Sequence, residues 1–322
     1  MTQRTVRALL DLLTSYSPPA APEPDEGARE PGVLADRPDG TVVRLGDTVA
    51  KAHPPDSDPD PLAFRLRLAA DQPRLLLAPL RPGAGPGLTV PLADRPASLW
   101  PYGVPVDPEH PEHAPWERAG QLLARLHRLD PSSVTARLGP APYSRGPAKV
   151  ARAVRRMRRW AARFPEEART VERAYDGLPP WCRDEAAPPG ELALCHGDFH
   201  LGQLVRPPHR GGDWLLIDVD DLGLAPACWD LARPAAFFAC GLLPPEVWQR
   251  FLHAYQTERG PDLGPHPWPW AELDAPARAL TVQSGASALA RAGEEDRSVD
   301  VDERALLAAC ARMSQLPAPA RE

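Results

Sequence analysis

The chain has 322 residues, a formal net charge of −6 and 43% hydrophobic residues, enough to bury a sizeable core and build two lobes, with an acidic balance that argues against nucleic-acid binding. Its five cysteines, Cys182, Cys195, Cys228, Cys240 and Cys310, form no C-x-x-C pair and suit a reducing cytoplasm better than a disulfide framework. No run of about 18 apolar residues occurs, so no membrane span is expected.

Val6 to Leu13 is amphipathic and reads as a helix, too short and too charged for a signal peptide. Pro18 to Pro31, rich in Pro, Glu and Ala, reads as a mobile linker. Three short strands follow, Val33–Asp36, Thr41–Arg44 and Thr48–Lys51, turned by Pro38-Asp39-Gly40 and Leu45-Gly46-Asp47. A helical stretch covers Leu62–Ala70. Leu75–Leu77 and Ser98–Trp100 read as further strands, separated by the Gly/Pro stretch Arg81–Pro86. Trp100 to Val106 is a Pro-stiffened connection, and Trp116–Arg128 a helix with Leu122, Leu123 and Leu126 on one face. Lys149–Arg163 is a basic helical stretch. Beyond it come a strand ending at Cys195, a hairpin of Leu204–Arg206 and Trp214–Ile217 turning through Pro207-Pro208 and Gly211-Gly212, and an apolar helix, Trp229–Cys240. The acids from Glu294 to Glu303 precede a last helix, Glu303–Met313. Both charge runs read as solvated faces. No internal repeat is visible.

One stretch carries chemistry. His196-Gly197-Asp198 follows an apolar strand, Gln203 comes five residues after Asp198, and the hairpin then delivers Asp218. A carboxylate to take a hydroxyl proton, plus an amide oxygen and a second carboxylate for a divalent cation, is what phosphoryl transfer from a nucleoside triphosphate requires. The protein-kinase signature has the same five-residue interval and a further Asp after a hairpin. Asn is absent from the chain, so no Asn elsewhere takes this role from Gln203. Of 37 basic residues only Lys51 and Lys149 are lysine. Lys51 ends Thr48-Val49-Ala50-Lys51, like the strand lysine that meets the phosphates in kinases, a job suited to a compact ammonium. The turn before it carries one Gly where a phosphate loop carries three. The helix after it has no acid to pair with Lys51; Asp58, Asp60 and Asp71 at its ends stand as equal candidates.

His196-Gly197-Asp198, Ile217-Asp218-Val219-Asp220 and Trp229-Asp230-Leu231-Ala232 resemble the aminoglycoside phosphotransferase/choline kinase branch of the protein-kinase-like fold. His200-Leu201-Gly202-Gln203 is similar to the loop of bacterial maltokinases. The resemblance implies an α+β, two-lobed fold. An N-terminal helix and linker (1–31) would precede a small β-rich nucleotide-binding lobe and hinge (32–106) and a larger, mainly helical catalytic and acceptor-binding lobe (107–322). It implies ATP and Mg²⁺ as cofactors, Asp198 as catalytic base, and Gln203 and Asp218 as metal ligands. Lys51 would grip the phosphates, and Tyr102, Gly103 and Val104 would meet the nucleotide base, the alternative for these three being a surface linker. His196 would buttress the loop and Asp230 bond its backbone. Asp220, on an extended segment, would share Asp218's side, whereas Asp221 is expected to be solvated, His127 structural or solvated, and His200 a loop hydrogen-bonder. In aminoglycoside kinases late acidic residues hold cationic amino-sugars; here those acids read rather as a helix start.

The expectation is a cytoplasmic ATP- and Mg²⁺-dependent O-phosphotransferase acting on a hydroxyl of a small molecule (an antibiotic, sugar or amino alcohol), with no nucleic-acid or membrane partner. Two alternatives remain. One is a pseudokinase-like nucleotide-binding partner protein. The other is a kinase of Ser/Thr in a biosynthetic peptide, which would bring a protein or peptide partner.

Overall fold

The computed structural model describes residues 2–16, 31–37, 40–83, 85, 87–92, 94–110, 113–207, 212–260 and 270–315. Most of the expected linker at 18–31, the Pro38-Asp39 turn and the hairpin tip at 208–211 lie outside the described residues.

In chain order the helices and strands begin with α1 (Thr2–Ser15), β1 (Gly32–Arg37), β2 (Gly40–Leu45), β3 (Thr48–Ala52), α2 (Pro59–Asp71), β4 (Val90–Leu92), β5 (Arg95–Pro101) and β6 (Val104–Pro105). They continue with α3 (Trp116–His127), α4 (Pro131–Leu138), α5 (Gly146–Arg158), α6 (Pro165–Asp176), β7 (Ala193–Cys195), β8 (Leu204–Arg206) and β9 (Leu215–Leu216). The chain then forms β10 (Gly223–Ala225), α7 (Cys228–Ala239), α8 (Pro245–Arg259), α9 (Trp270–Glu294) and α10 (Val301–Met313). It divides into two compact units. One comprises Met1–Ala114, Val134–Ala141 and Gly202–Asp220; the other Pro115–Ser133, Pro142–Leu201 and Asp221–Glu322.

The first unit is β-rich. Its main sheet is antiparallel with strand order β1-β2-β3-β5-β4, and a second sheet runs β6-β8-β9. Strand periodicity sends Ala50 and Ala52 of β3 into a core with Val43, Leu99 and Leu92. Leu9 and Leu13 of α1 pack into that core, so the amino-terminal helix is part of this unit. Asp58 caps α2 by accepting from the Asp60 amide at 3.2 Å. Leu75–Leu77, expected to be a strand, forms only an isolated bridge between Leu76 and Leu216. The amide of Leu77 donates to Leu216 O at 2.8 Å, and too few residues are aligned for a ladder.

The second unit is mainly helical. The 25-residue α9 packs against α5, α6, α7 and α10. Its core draws Val150, Val154 and Met157 from α5 and Val171 from α6, together with Leu280 and Leu289 of α9. The basic run and the late acids, both expected to be solvated faces, pair with each other: Arg156 with Glu294 and Arg163 with Asp296. Glu303 is buried, makes a capping box with Asp300, and accepts from Arg297 at 2.7 and 2.8 Å. The acids thus form the expected helix start, with Glu294, Asp296 and Glu303 each paired with an arginine.

Candidate active site

In the β-rich unit β3 carries Lys51 on the sheet face opposite Ala50 and Ala52, paired between Val42 and Ser98. The β8–β9 hairpin returns the chain to the same place, with Leu204 opposite Leu216 and the Ile217 amide donating to Gln203 O at 2.9 Å. Asp218 follows at once. Lys51 Nζ lies 2.5 Å from Asp218 Oδ1 and 2.9 Å from Asp220 Oδ2, and Gln203 Nε2 donates to Asp218 Oδ2 at 3.3 Å. Lys51, Gln203 and Asp218 are therefore brought together. Asp218 holds φ at 61°, a left-handed conformation that costs a non-glycine residue about 1 kcal/mol or more and persists where surrounding structure imposes it.

Asp220 reaches Lys51 by a different geometry from the one expected. Residues Val219–Asp221 form a 3₁₀ turn, not an extended strand, so the i,i+2 alternation of a strand does not apply. A buried relay supports Asp220. Trp100 Nε1, which can only donate, bonds Ser98 Oγ at 2.8 Å, and Ser98 meets His53 Nε2 at 2.8 Å. With the serine hydroxyl donating to Nε2, His53 carries its proton on Nδ1 and gives it to Asp220 Oδ2 at 3.3 Å. Burial alone would lower the Lys51 pKa; the carboxylates of Asp218 and Asp220 outweigh it and raise the ammonium well above its ordinary value. Burial likewise opposes ionisation of Asp220, but Lys51 and His53 hold it well below the usual carboxylate range. The acids proposed at the ends of α2 do not supply the Lys51 partners. Asp58 is its cap, Asp60 lies in its first turn, and Asp71 pairs with Arg137 at 2.7 Å.

Tyr102, Gly103 and Val104 occupy the turn into β6 and its first residue. The Tyr102 amide donates to Asp47 O at 2.7 Å, and its ring lies under the Arg44 guanidinium, 3.4 Å from the centroid. Val104 pairs with Arg206 of β8, and a Cβ on Gly103 would stand 2.5 Å from the Val205 side chain.

Oxygen donors dominate the Lys51 cluster of the β-rich unit: two carboxylates and the Gln203 carboxamide, the set a hard divalent cation prefers. The Lys51 ammonium already occupies that acidic ground as a cation. Asp220 Oδ1, buried, has His53 Nδ1 at 3.1 Å but makes no hydrogen bond of good geometry among the described residues. This donor set fits Mg²⁺.

The helical unit presents Asp198. Buried β7 leads into His196-Gly197-Asp198, and Asp230, in the first turn of α7, accepts from the amides of His196 at 2.6 Å and Gly197 at 2.8 Å. This is the backbone contact that the resemblance implied. His127 fixes Asp230 from behind, with Nε2 3.0 Å from Asp230 Oδ2 and Nδ1 2.8 Å from the Tyr255 hydroxyl. Gly197 has φ of 85°, and a Cβ there would stand 2.3 Å from Asp221 O, so this turn requires glycine.

Asp198 is held at both oxygens: Lys149 Nζ lies 2.5 Å from Oδ2 and Arg233 Nη2 2.8 Å from Oδ1. Lys149 also contacts Asp221 Oδ2 at 2.8 Å. Burial would raise the Asp198 pKa, but Lys149 and Arg233 more than offset it and lower it to about 2. Asp221, expected to be solvated, is buried because its backbone packs under Gly197 and its carboxylate closes on Lys149. Sequence reasoning missed Lys149, assigning it to a solvated basic face. The available signal was its rarity, since only two basic residues are lysine and the other is Lys51.

A β-rich unit with a lysine on two aspartates, and a mainly helical unit that presents a third aspartate from an HGD turn, are the parts of a phosphotransferase of protein-kinase-like fold. The chain belongs to the phosphotransferase enzyme family, whose model matches residues 91–267, more than half its length. No curated protein sequence matches it. Among solved structures it is similar to a choline/ethanolamine kinase family protein from Mesorhizobium loti, with TM-score 0.57 and 16% identity over 98% of this chain and 94% of that one. It is also similar to choline kinase from Cryptosporidium parvum, with TM-score 0.59 and 9% identity over 90% of each chain. A spectinomycin phosphotransferase solved with ADP and spectinomycin gives TM-score 0.54 and 15% identity over 88% and 92%. At these identities the likeness is one of fold.

Proposed function

We propose that this phosphotransferase moves the γ-phosphoryl group of ATP to a hydroxyl of a small molecule. The observation that carries the reading is Lys51 on Asp218 and Asp220, residues 167 and more positions away that only the fold can join. In the β-rich unit Lys51 exchanges a carboxylate for nucleotide phosphate oxygens, and Tyr102, Gly103 and Val104 meet the base. Gln203 and Asp218 hold Mg²⁺, which when bound neutralises charge on the phosphates. In the helical unit Asp198 orients the acceptor hydroxyl and takes its proton. The spectinomycin enzyme solved with ADP is consistent with the nucleotide role. The late acids Glu294, Asp296 and Glu303 are each held by arginine, so they do not favour a cationic amino-sugar over a neutral sugar or amino alcohol.

The test is transfer of label from γ-labelled ATP, with Mg²⁺, to a panel of hydroxyl compounds, beside Asp198→Ala. Labelled product with the native chain and none with the variant, at unchanged nucleotide binding, is the expected result. Equal product from Asp198→Ala refutes the assigned base, and nucleotide binding without product from any acceptor favours the pseudokinase reading.

A further inference from the structure

Helix α5 reaches the HGD turn by a close approach that a larger residue would prevent. A Cβ on Gly146 would stand 2.1 Å from Trp229 Nε1 and 2.9 Å from Gly197 O. The residues before the helix are tied to the same place. The Arg145 amide donates to Asp221 O at 3.1 Å, Ser144 Oγ donates to that oxygen at 3.1 Å, and the Gly146 amide meets Ser144 Oγ at 3.3 Å. Lys149, one turn into α5, is therefore aimed by packing and backbone bonds, not by its own flexible stem.

We propose that Lys149 is a positioning residue of the transfer reaction: its ammonium holds Asp198 by Oδ2, opposite Arg233 on Oδ1, and so fixes the carboxylate in one orientation toward the acceptor hydroxyl. The proposal rests on the reading of Asp198 as the base.

Three features support it. An ammonium has three donors, and two are spent on Asp198 and Asp221, so Asp221 anchors the cation independently of the carboxylate it orients. Arg233 is anchored in the same way, giving Nε to Phe199 O at 3.2 Å and Nη2 to Gln283 Oε1 at 3.4 Å. Each carboxylate oxygen accepts more than one bond, so holding both oxygens leaves lone pairs for the hydroxyl. In the step itself the acceptor O–H bond breaks toward Asp198 as its oxygen bonds the γ-phosphorus. The bond from that phosphorus to the bridging oxygen of the nucleotide breaks, releasing nucleoside diphosphate, and Asp198 returns the proton to solvent. Lys149 stays protonated throughout: burial opposes its charge, but Asp221 and Asp198 raise its pKa. The other titratable groups at Asp198 are His200 and His196, the latter accepting from the Asp198 amide at 3.4 Å.

Lys149→Met and Lys149→Arg test the proposal in two measurements. The first is a ¹³C-carboxyl NMR titration without ligand, with Asp198 identified by its loss in Asp198→Asn. The second is Mg²⁺·ATP turnover against pH, with water as acceptor. In the native chain Asp198 should not titrate between pH 4 and 8. In Lys149→Met it should protonate at least tenfold more readily, an acid limb should enter the rate profile, and kcat should fall about a hundredfold with the KM for ATP little changed. Lys149→Arg should restore the titration and part of the rate. A Lys149→Met protein that melts earlier yet keeps the native titration and kcat overturns the proposal by reducing Lys149 to a structural ion pair. If that variant does not fold, Lys149→Gln is read by the same criteria. Undiminished turnover by Asp198→Ala, in contrast, removes the base and leaves Lys149 nothing to position.

Discussion

Asp230→Ala should damage stability and turnover together. The Asp230 carboxylate accepts from two buried loop amides, at 2.6 and 2.8 Å, and meets His127 at 3.0 Å. A hydrogen bond to a charged group contributes about 1.5–3 kcal/mol, and an amide left buried without a partner forfeits its full desolvation. Two such amides set the loss at about 3–6 kcal/mol. For a domain of 150–250 residues that corresponds to a melting temperature lower by roughly 6–24 °C. Differential scanning calorimetry reads the shift directly. Well below the transition, where the variant is folded, the unpinned HGD turn should still cost about a hundredfold in kcat/KM, because small displacements of a reacting group are that expensive. Asp230→Asn is the sharper probe, since its amide can accept only one of the two loop bonds while presenting an NH₂ to the other. A melting temperature within 2 °C or so of native for either variant, with native turnover, would refute the claim that this carboxylate holds the turn.

Two further predictions concern the acids themselves. The Asp198 pKa is lowered to about 2 in the folded chain, below its unfolded value, so its stabilising contribution is complete above about pH 4 and is lost as pH falls toward 2. The contribution is about 2 kcal/mol, and Asp198→Asn should accordingly show a flatter acid-unfolding curve over that window; a curve parallel to the native one contradicts it. In the β-rich unit His53→Leu removes the donor to Asp220 and the acceptor for Ser98, costing about 2 kcal/mol or more and weakening Mg²⁺·ATP binding in a thermal-shift titration. An unchanged melting temperature and unchanged ATP shift would mean that the relay from Trp100 to Asp220 is incidental.

Much of this arrangement was legible in the chain because it is locally encoded. The HGD turn, the five-residue step to Gln203 and the hairpin that ends at Asp218 lie within two dozen residues, and the short β run that ends at Lys51 is bounded by its own turns. What escaped reading depends on packing between distant elements. Apart from its being one of two lysines, nothing in the local pattern sets Lys149 off from the arginines that follow; the approach of α5 through Gly146 is what selects it for Asp198 and Asp221. Asp220 does share Lys51 with Asp218, but through a 3₁₀ turn and not an extended segment, and Asp221 was misread because its burial depends on Gly197 and Lys149, far away in sequence. The pairing of Glu294 and Asp296 was not legible because their arginine partners lie more than a hundred positions earlier, on and just after α5.

The near-absence of lysine turns a blunt reagent into a selective one. In most proteins an acylating or isothiocyanate label scatters over many ε-amines; here it has two to find, each side chain mostly covered and each proton gripped by a pair of aspartates. Labelling should be slow while those grips hold and should quicken at whichever lysine a nucleotide or acceptor releases. Peptide mapping of two adducts would then report which clamp had opened, with no need to know the natural acceptor.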